Sequence, residues 1–449
     1  MAAPTPSPVP AASSALVSSM AFRLGTIGLN AATGIVTARA LHPAGRGELA
    51  AIVLWPMLAS GLTTVGLPAA LVYHLRRQPD DARALIGGAA VIAILASTVG
   101  VVAGWALIPW WLGQHDASTV RAAQWCLLTT HLCALTLVGR AAWEARGAFA
   151  ASALSQMVTP AVVLAGLGLL AWRGPIATAP AAAVYVLAGL PSLVWIWTSL
   201  ARGPGLRLAV AGRWRRLTHY GVRSYGVDLA GVLAIYLDQV LVVGWLSVEA
   251  MGIYAVALSL SRVLGAVHAS VAAIAFPRAV GLAPAEMTAQ IGRAARAGTI
   301  VAGGLGVGVV AASPVLLGGL YGAPYLAALP LLPILVVEAM VAGLVQVLLQ
   351  GFLAAGRPAL ATAVVAGGVA GSLPLFLWLV PAHGVLGAAV ALLGASLLRL
   401  GLTLGAYRWG LVWTPPRIRP ARRDVVELVR FARARAGAKR ARMAAGGTR

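Results

Sequence analysis

Long apolar segments alternate with short polar ones along the whole chain. Twelve apolar segments are distinguished, each of about 20 residues or more, which is the length a helix needs to cross a bilayer. The apolar residues run continuously instead of alternating every second position, so the pattern predicts helices and not strands. The approximate bounds are 16–38, 49–74, 84–108, 121–143, 149–171, 178–200, 223–245, 251–275, 295–317, 327–350, 359–380 and 385–407.

The composition agrees with an all-α integral membrane protein. Of the 449 residues, 60% are hydrophobic and only 10% are charged, whereas soluble domains are charged at about a quarter of their positions. Segments of about ten residues with alternating hydrophobicity, which a transmembrane barrel requires, do not occur in the sequence.

A pattern near the start of the chain returns 205 residues later. In 37–56 and 242–261, residues Leu41, Gly47 and Ala50 correspond to Leu246, Gly252 and Ala255. The longest basic loop lies between the sixth and seventh segments, so we expect two pseudo-symmetric six-helix lobes. Parallel repeats of this kind place a transporter's substrate site between the halves. The predicted regions are an N-terminal disordered tail (1–15), an N-lobe (16–201), a basic linker (202–222), a C-lobe (223–408) and a basic tail (409–449).

Basic residues predict the orientation. With both termini in the cytoplasm, 26 of the 34 Lys and Arg residues lie on the cytoplasmic side and 4 lie on the outer side, as the positive-inside rule requires. The net charge of +22 therefore reflects topology, and nucleic acid is not an expected partner. The outer loops are short, which excludes a large external catalytic domain.

The basic tail carries its own pattern. Apolar residues recur at helical spacing among arginines, which favours a helix on anionic lipid at the inner membrane face. A disordered basic tail remains an equal alternative. The recurring residues are Val425, Leu428, Val429 and Ala432.

Arginines inside the apolar segments are the candidate substrate ligands. Ionisable side chains are costly in a bilayer and usually face a cavity or a partner. Arg23 begins a polar stripe on one helical face that includes Asn30, although packing between helices also explains the stripe's threonines. Arg262, Arg140 and Arg399 complete the set. Guanidinium groups match phosphate oxygens, so an anionic head group would fit. For Arg140 and Arg399, snorkelling to the inner interface is the alternative. The stripe's threonines are Thr26, Thr33 and Thr37.

Three carboxylates within the apolar segments have two interpretations. Asp238, Glu338 and Asp228 either neutralise buried arginines or couple transport to a cation. Asp238 ranks first for coupling, because Tyr236 and Gln239 are polar neighbours. No metal site, cofactor or enzyme motif is predicted, and coupling to H⁺ or Na⁺ stays open.

The order of several short motifs resembles one family. TGIVTARALHPAGRGELA (33–50) is similar to a helix that runs into Leu-Gly-Pro-x-x-x-Gly-x-x-A, with His42 where the pattern often has Gly. YLDQVLVVGWLSVEAMGIYAVALSLSR (236–262), YGAPYLAALPLLPIL (321–335) and LLQGFLAAGRPAL (348–360) follow. Together they resemble the multidrug/oligosaccharidyl-lipid/polysaccharide exporter superfamily, and within it the bacterial O-antigen or Wzx-type flippases.

The resemblance implies a transporter and not an enzyme. It would flip a lipid-pyrophosphate-linked oligosaccharide from the cytoplasmic to the outer leaflet of the plasma membrane by alternating access, with arginines such as Arg23 and Arg262 around the head group. Polysaccharide assembly proteins are further expected partners. A cation-coupled multidrug exporter of the same fold is the main alternative, and a polysaccharide polymerase or ligase is a weaker one.

Overall fold

The computed structural model describes residues 10–203, 211–411, 413–422 and 424. Within those ranges the chain is helical almost throughout, and short connections join the helices. The α-helices are α1 (Pro10–Thr63), α2 (Leu67–Arg77), α3 (Ala82–Trp111), α4 (Ala117–Leu127), α5 (Thr130–Ala145), α6 (Phe149–Arg173), α7 (Thr178–Leu187), α8 (Leu190–Arg202), α9 (Ala211–Trp245), α10 (Val248–Ala279), α11 (Pro284–Ala311), α12 (Ser313–Val315), α13 (Leu331–Ala354) and α14 (Pro358–Gly405). Short 3-10 and π-helical turns cover Pro79–Asp81, Leu316–Tyr321, Ala323–Ala328 and Ala406–Gly410.

Two of the longest helices each contain two apolar segments. α1 changes direction at His42, whose backbone has φ 56° and ψ 177°. α14 changes direction at Gly384, with φ 57° and ψ −133°. Positive φ is open to glycine but strained for other residues. When α1 and α14 are divided at these two residues, each half contains all or most of one predicted apolar segment.

Nine helices in the described ranges are long and apolar enough to cross a membrane. The number is ten if Gly25–Thr63 of α1 and α2, which are bent by 45° relative to each other, are counted as one further span. Many of their large apolar side chains face outwards: Trp172 is 83% exposed and Trp110 is 76% exposed. An apolar exterior of this extent is stable only in lipid. The chain is therefore a multi-pass membrane protein, as predicted.

Two predicted spans contain a turn near the middle, although each is counted as one of the nine spans above. The segment 121–143 is divided between α4 and α5 at a point where the hydroxyls of Thr129 and Thr130 donate to the carbonyls of Cys126 (2.7 Å) and Leu127 (2.6 Å). Such side-chain bonds compete with the helix backbone.

The segment 178–200 is divided between α7 and α8. Pro191 follows Gly189 at the break and has no N–H to continue the hydrogen-bond ladder. Hydrophobicity alone did not reveal either break.

Two predicted boundaries differ from the structure. α1 already includes Pro10, the first described residue, inside the predicted disordered tail (1–15). α9 already begins at Ala211, inside the predicted linker. Leu217 is fully buried there, and the ring of Tyr220 stacks on that of Tyr73 with centroids 4.4 Å apart.

The chain forms two compact units. The first comprises the described residues within 1–259 and 315–328, and the second comprises those within 260–314 and 329–449. The core of the first includes Leu71, Ile86 and Val138, and that of the second includes Ile291, Phe352 and Tyr407. The two six-helix lobes are a division by sequence symmetry, and their boundaries stay a prediction.

Candidate functional site

The two copies of the repeat touch each other inside the first unit. A Cβ atom on Gly47 would overlap the backbone carbonyl of Val248, and a Cβ on Gly252 would overlap that of Pro43. Pro43 and Val248 are themselves 205 residues apart, as Gly47 and Gly252 are. Each copy therefore presents its glycine to the same position of the other copy.

A reciprocal contact of this kind is the signature of a two-fold relation between two surfaces. Glycines let the two backbones approach to van der Waals distance, as small residues do where membrane helices cross. Both glycines are buried. The repeat in the sequence thus marks a direct backbone contact between its two copies.

A later motif lies against the first copy. Arg39 donates from Nε to the carbonyl of Leu320 at 2.7 Å and from a terminal nitrogen to the carbonyl of Gly319. The hydroxyl of Tyr325 donates to the carbonyl of Ala38 at 3.2 Å. Burial raises the pKa of Tyr325 to about 12, and the charge of Arg46 opposes that rise. The basic residues of the first copy are therefore engaged by protein groups and not only by water.

The polar stripe on α1 divides into two parts. The hydroxyls of Thr26, Thr33 and Thr37 all donate to carbonyls of their own helix at 2.7–3.0 Å, and Thr33 and Thr37 are buried. These bonds favour the packing interpretation for the threonines. Asn30 is exposed. Arg23 belongs to α1, and its side chain lies outside the described part of the chain.

Asp238 is a buried carboxylate with a tyrosine partner. It is 2% exposed, and the hydroxyl of Tyr254 donates to its Oδ2 at 2.9 Å. The sequence pointed to Gln239 as a neighbour, but Gln239 donates to the carbonyl of Ile235 in its own helix. Tyr254 lies 16 residues after Asp238, which is more than four helical turns. The two side chains meet only because the chain folds back between α9 and α10.

Glu338 lies in a polar chain within the second unit. The hydroxyl of Ser396 donates to Glu338 Oε1 at 2.6 Å, and Arg399 donates to that same hydroxyl oxygen at 3.0 Å. Glu338 is 7% exposed and Arg399 is half-buried. A side chain at Gly368 would overlap the stem of Arg399, so this glycine makes room for it. The arrangement is suited to charge balance between α13 and α14.

The family model for polysaccharide biosynthesis proteins matches residues 36–330. That range is more than half of the chain and includes both copies of the repeat. The chain belongs to the polysaccharide biosynthesis protein family. A comparison of the sequence with curated proteins finds no match.

Solved structures of similar fold cover almost the whole of this family member. The lipid II flippase MurJ in an inward closed conformation superposes with a TM-score of 0.74 at 12% identity, covering 88% of this chain and 87% of MurJ. A multidrug resistance MATE family transporter of the MOP superfamily, inward-facing, has a TM-score of 0.67 at 12% identity, with 88% and 97% covered.

A MOP superfamily transporter from Pyrococcus furiosus has a TM-score of 0.56 at 13% identity, with 89% of this chain and 95% of that chain covered. These likenesses show the fold. Together with the family model, they confirm the predicted resemblance and the all-α membrane class.

The other predicted site residues of this polysaccharide biosynthesis protein are spread over both units. Arg262 is exposed on α10, while Arg140 on α5 and Asp228 on α9 are half-buried. Of the predicted set, Glu338 and Arg399 are joined through the hydroxyl of Ser396.

Sequence reasoning missed Tyr254 and Ser396. A signal for Ser396 was present, since it precedes Arg399 by three residues and so shares its helix face. For Tyr254 the sequence carries no such signal, since the position 205 residues earlier is the apolar Leu49. No group of three or more His, Cys, Asp or Glu side chains suited to a metal ion is present in the described ranges.

Proposed function

We propose that this protein flips a lipid-pyrophosphate-linked oligosaccharide precursor from the cytoplasmic to the outer leaflet of the plasma membrane, by alternating access and without catalysing a chemical reaction. The observation that carries the proposal is the match of a polysaccharide biosynthesis family to a chain whose fold is that of membrane transporters. Glycans assembled on a lipid in the cytoplasmic leaflet need such a step before export.

Arginines would bind the anionic head group. Arg23 and Arg262 are the first candidates, with Asn30, Arg140 and Arg399 beside them. Arg262 is exposed on the protein surface, as a group that meets a ligand must be. Arg399 is bonded to Ser396, which keeps its guanidinium in place but also leaves it fewer free donors. Both arginines stay candidates for the head group.

Buried carboxylates would serve coupling or charge balance. Asp238 accepts a hydrogen bond from Tyr254 in a buried setting, which supports uptake and release of H⁺ or Na⁺ by this group. Glu338 is joined to Arg399 through Ser396, which supports charge balance instead. Asp228 is a further candidate for coupling.

The membrane placement belongs to the same proposal. Both termini would face the cytoplasm, where most of the basic residues are expected. The basic tail would lie on anionic lipid, and polysaccharide assembly proteins would receive the flipped substrate. The tail's apolar positions, 425–432, lie outside the described residues.

A transport assay tests the proposal. Proteoliposomes that contain the purified protein and a fluorescent lipid-pyrophosphate oligosaccharide are expected to expose the label to a membrane-impermeant quencher faster than empty liposomes do. Arg23→Ala and Arg262→Ala are each expected to abolish flipping at unchanged membrane abundance. Arg173→Ala, which removes an exposed arginine at the end of α6, is the matched control.

The same liposomes distinguish the main alternative. Transport of an organic cation against a Na⁺ or H⁺ gradient, without movement of the lipid-linked glycan, would replace the flippase by a multidrug exporter. Flipping at the wild-type rate in both arginine variants would remove the head-group role while leaving the transport function intact.

A further inference from the structure

The chain after α14 returns as an extended strap along α11. We define the strap as residues 413–424, of which Arg423 lies outside the described positions. Pro415 and Pro416 keep its start extended, since proline fixes φ and cannot join a helix interior. Pro416 is buried. The strap is therefore part of the folded second unit.

A buried ion pair attaches the strap to α11. Arg296 Nε donates to Asp424 Oδ2 at 2.9 Å, with both side chains about 10% exposed. The same guanidinium donates to the carbonyl of Arg417 at 2.9 Å. Asp424 also accepts from the backbone N–H of Ala421 at 2.8 Å. Both partners of the pair are thus held by further hydrogen bonds.

A glycine sets the distance between the strap and the helix. A Cβ at Gly292 would lie 3.2 Å from the carbonyl oxygen of Arg417 and 3.3 Å from its nitrogen. These distances are shorter than ordinary van der Waals contacts, so a large side chain at this position would push the strap away.

A cavity of about 670 Å³ opens between the strap and α11. Its volume lies within the range of about 300–1,000 Å³ typical of small-molecule sites. Three guanidinium groups and one carboxylate line it. Because Asp424 is paired with Arg296, the cavity keeps an excess of two positive charges. The charged lining residues are Arg293, Arg296, Arg417 and Asp424.

Two arginines at the cavity have exposed side chains. Arg293 is exposed and donates to Gln290 at 2.7 Å, which uses one of its five N–H groups. The side chain of Arg417 is exposed as well. The planar guanidinium groups carry paired N–H donors that match two oxygens of one phosphate group. A neutral ligand would not compensate the positive charge of either arginine.

We propose that this strap cavity binds a phosphate group, with Arg293 and Arg417 as its ligands and the Arg296–Asp424 pair as the clip that holds the cavity open. The phosphate comes either from the head group of an anionic lipid or from a soluble phosphate compound. The cavity lining shares no residue with the head-group or coupling candidates proposed above, because its residues all belong to α11 and the strap.

Binding measurements on the full-length protein distinguish the two sources. The lipid arm uses nanodiscs that contain phosphatidylglycerol and phosphatidylcholine, and native mass spectrometry counts the phosphatidylglycerol molecules retained after release. The soluble arm titrates inorganic phosphate and pyrophosphate into protein in a neutral detergent and follows binding by calorimetry. Retention in the first arm or saturable binding in the second supports the site and names its source.

Charge variants link the binding to the cavity. Arg293→Gln and Arg417→Gln are each expected to weaken binding about tenfold or more, since hydrogen bonds to charged groups are worth roughly that factor. Arg278→Gln and Arg357→Gln remove exposed arginines of the same unit outside the cavity lining and are expected to leave binding unchanged. All four positions are exposed, so the fold is expected to persist.

A steric variant provides independent evidence. Gly292→Leu keeps every charge but displaces the strap, and it is expected to reduce binding to the level of the arginine variants. Equal binding in wild type, Arg293→Gln and Arg417→Gln, or binding in neither arm, would overturn the proposal. Neither result bears on flipping, which is measured separately.

Discussion

The two copies of the repeat make the same turn by different means. At the turn, the first copy has His42 with φ 56°, and the second has Ser247, whose hydroxyl accepts the N–H of Ala250 at 3.2 Å. Residues 42 and 247 are equivalent after the 205-residue shift. One copy is strained at this point, and the other has a favourable helix cap.

Their chemistry differs more than their backbones do. The buried Thr33 donates to the carbonyl of Leu29 in its own helix, while its equivalent Asp238 accepts from Tyr254. Tyr254 in turn is the equivalent of Leu49. The copies are symmetric where their backbones touch and asymmetric where a carboxylate is buried. The contact therefore reflects packing, and the asymmetry points to the residues that function would use.

Substitution of the contact glycines has the largest expected effect. Gly47→Ala and Gly252→Ala each place a Cβ against a backbone carbonyl of the other copy, which side-chain motion cannot relieve. We expect each to destabilise the protein by about 3 kcal/mol, measured by thermal unfolding in detergent. Gly28→Ala and Gly231→Ala are controls, because a Cβ there meets no atom within 4 Å. Tolerance at one contact glycine but not the other would disprove a symmetric contact.

Loss of the tyrosine hydroxyl comes next. Tyr254→Phe removes a donor from the buried carboxylate of Asp238 and is expected to cost about 2 kcal/mol. Thr33→Val at the equivalent of Asp238 removes only a bond within one helix and is expected to cost less than half as much. Chemical denaturation measures both. Equal losses of stability in the two variants would mean that the hydrogen bond to the buried carboxylate of Asp238 adds no more stability than the bond within one helix at Thr33.

The two substitutions at the turn are expected to change the stability of the protein in opposite directions. His42→Gly relieves the positive φ and is expected to stabilise the protein by about 1 kcal/mol, whereas Ser247→Ala removes a helix cap and is expected to destabilise it by about the same amount. The shift of the unfolding temperature gives both signs. Destabilisation by His42→Gly would show that the imidazole makes a contact worth more than the strain.

The smallest expected effect is a pH dependence confined to the first half. Burial lowers the pKa of His115 below its usual 6.5, and the charges of Glu48 and Asp116 oppose this shift. The folded state therefore favours the neutral ring, so its contribution to stability is present above pH 6.5 and is lost as the pH falls through the lowered pKa.

The position 205 residues after His115 is Leu320, which does not titrate. His115→Gln is expected to reduce the loss of unfolding temperature as the pH falls below 6.5, and an unchanged loss would assign the acid sensitivity to other groups.

Several elements follow from the sequence for simple physical reasons. Twelve apolar segments must become helices in lipid, because every backbone N–H and C=O needs a partner there. The repeat was visible because both copies have a glycine at the same position, Gly47 and Gly252, where a Cβ would overlap a backbone carbonyl. Breaks at Thr129 and Gly189 were not visible, since hydropathy averages over the few residues that interrupt a helix.

The candidate site was predicted in its residue types but not in its partners. Charged residues in apolar segments are costly, so Asp238, Glu338 and Arg399 stood out without a structure. Tyr254 and Ser396 did not, because tyrosine and serine are common in membrane helices and acquire meaning only from what they touch.

By itself, the sequence determined the membrane class, the helical content and the internal repeat, since these depend on composition and spacing. Only the tertiary structure decided that Gly47 and Gly252 contact each other's copies, that Ser396 joins Glu338 to Arg399, and that the strap is clipped to α11. Such contacts depend on which helix faces meet, and many pairings of faces bury the same apolar area. Local hydrophobicity cannot choose among them, whereas the packing of particular side chains can.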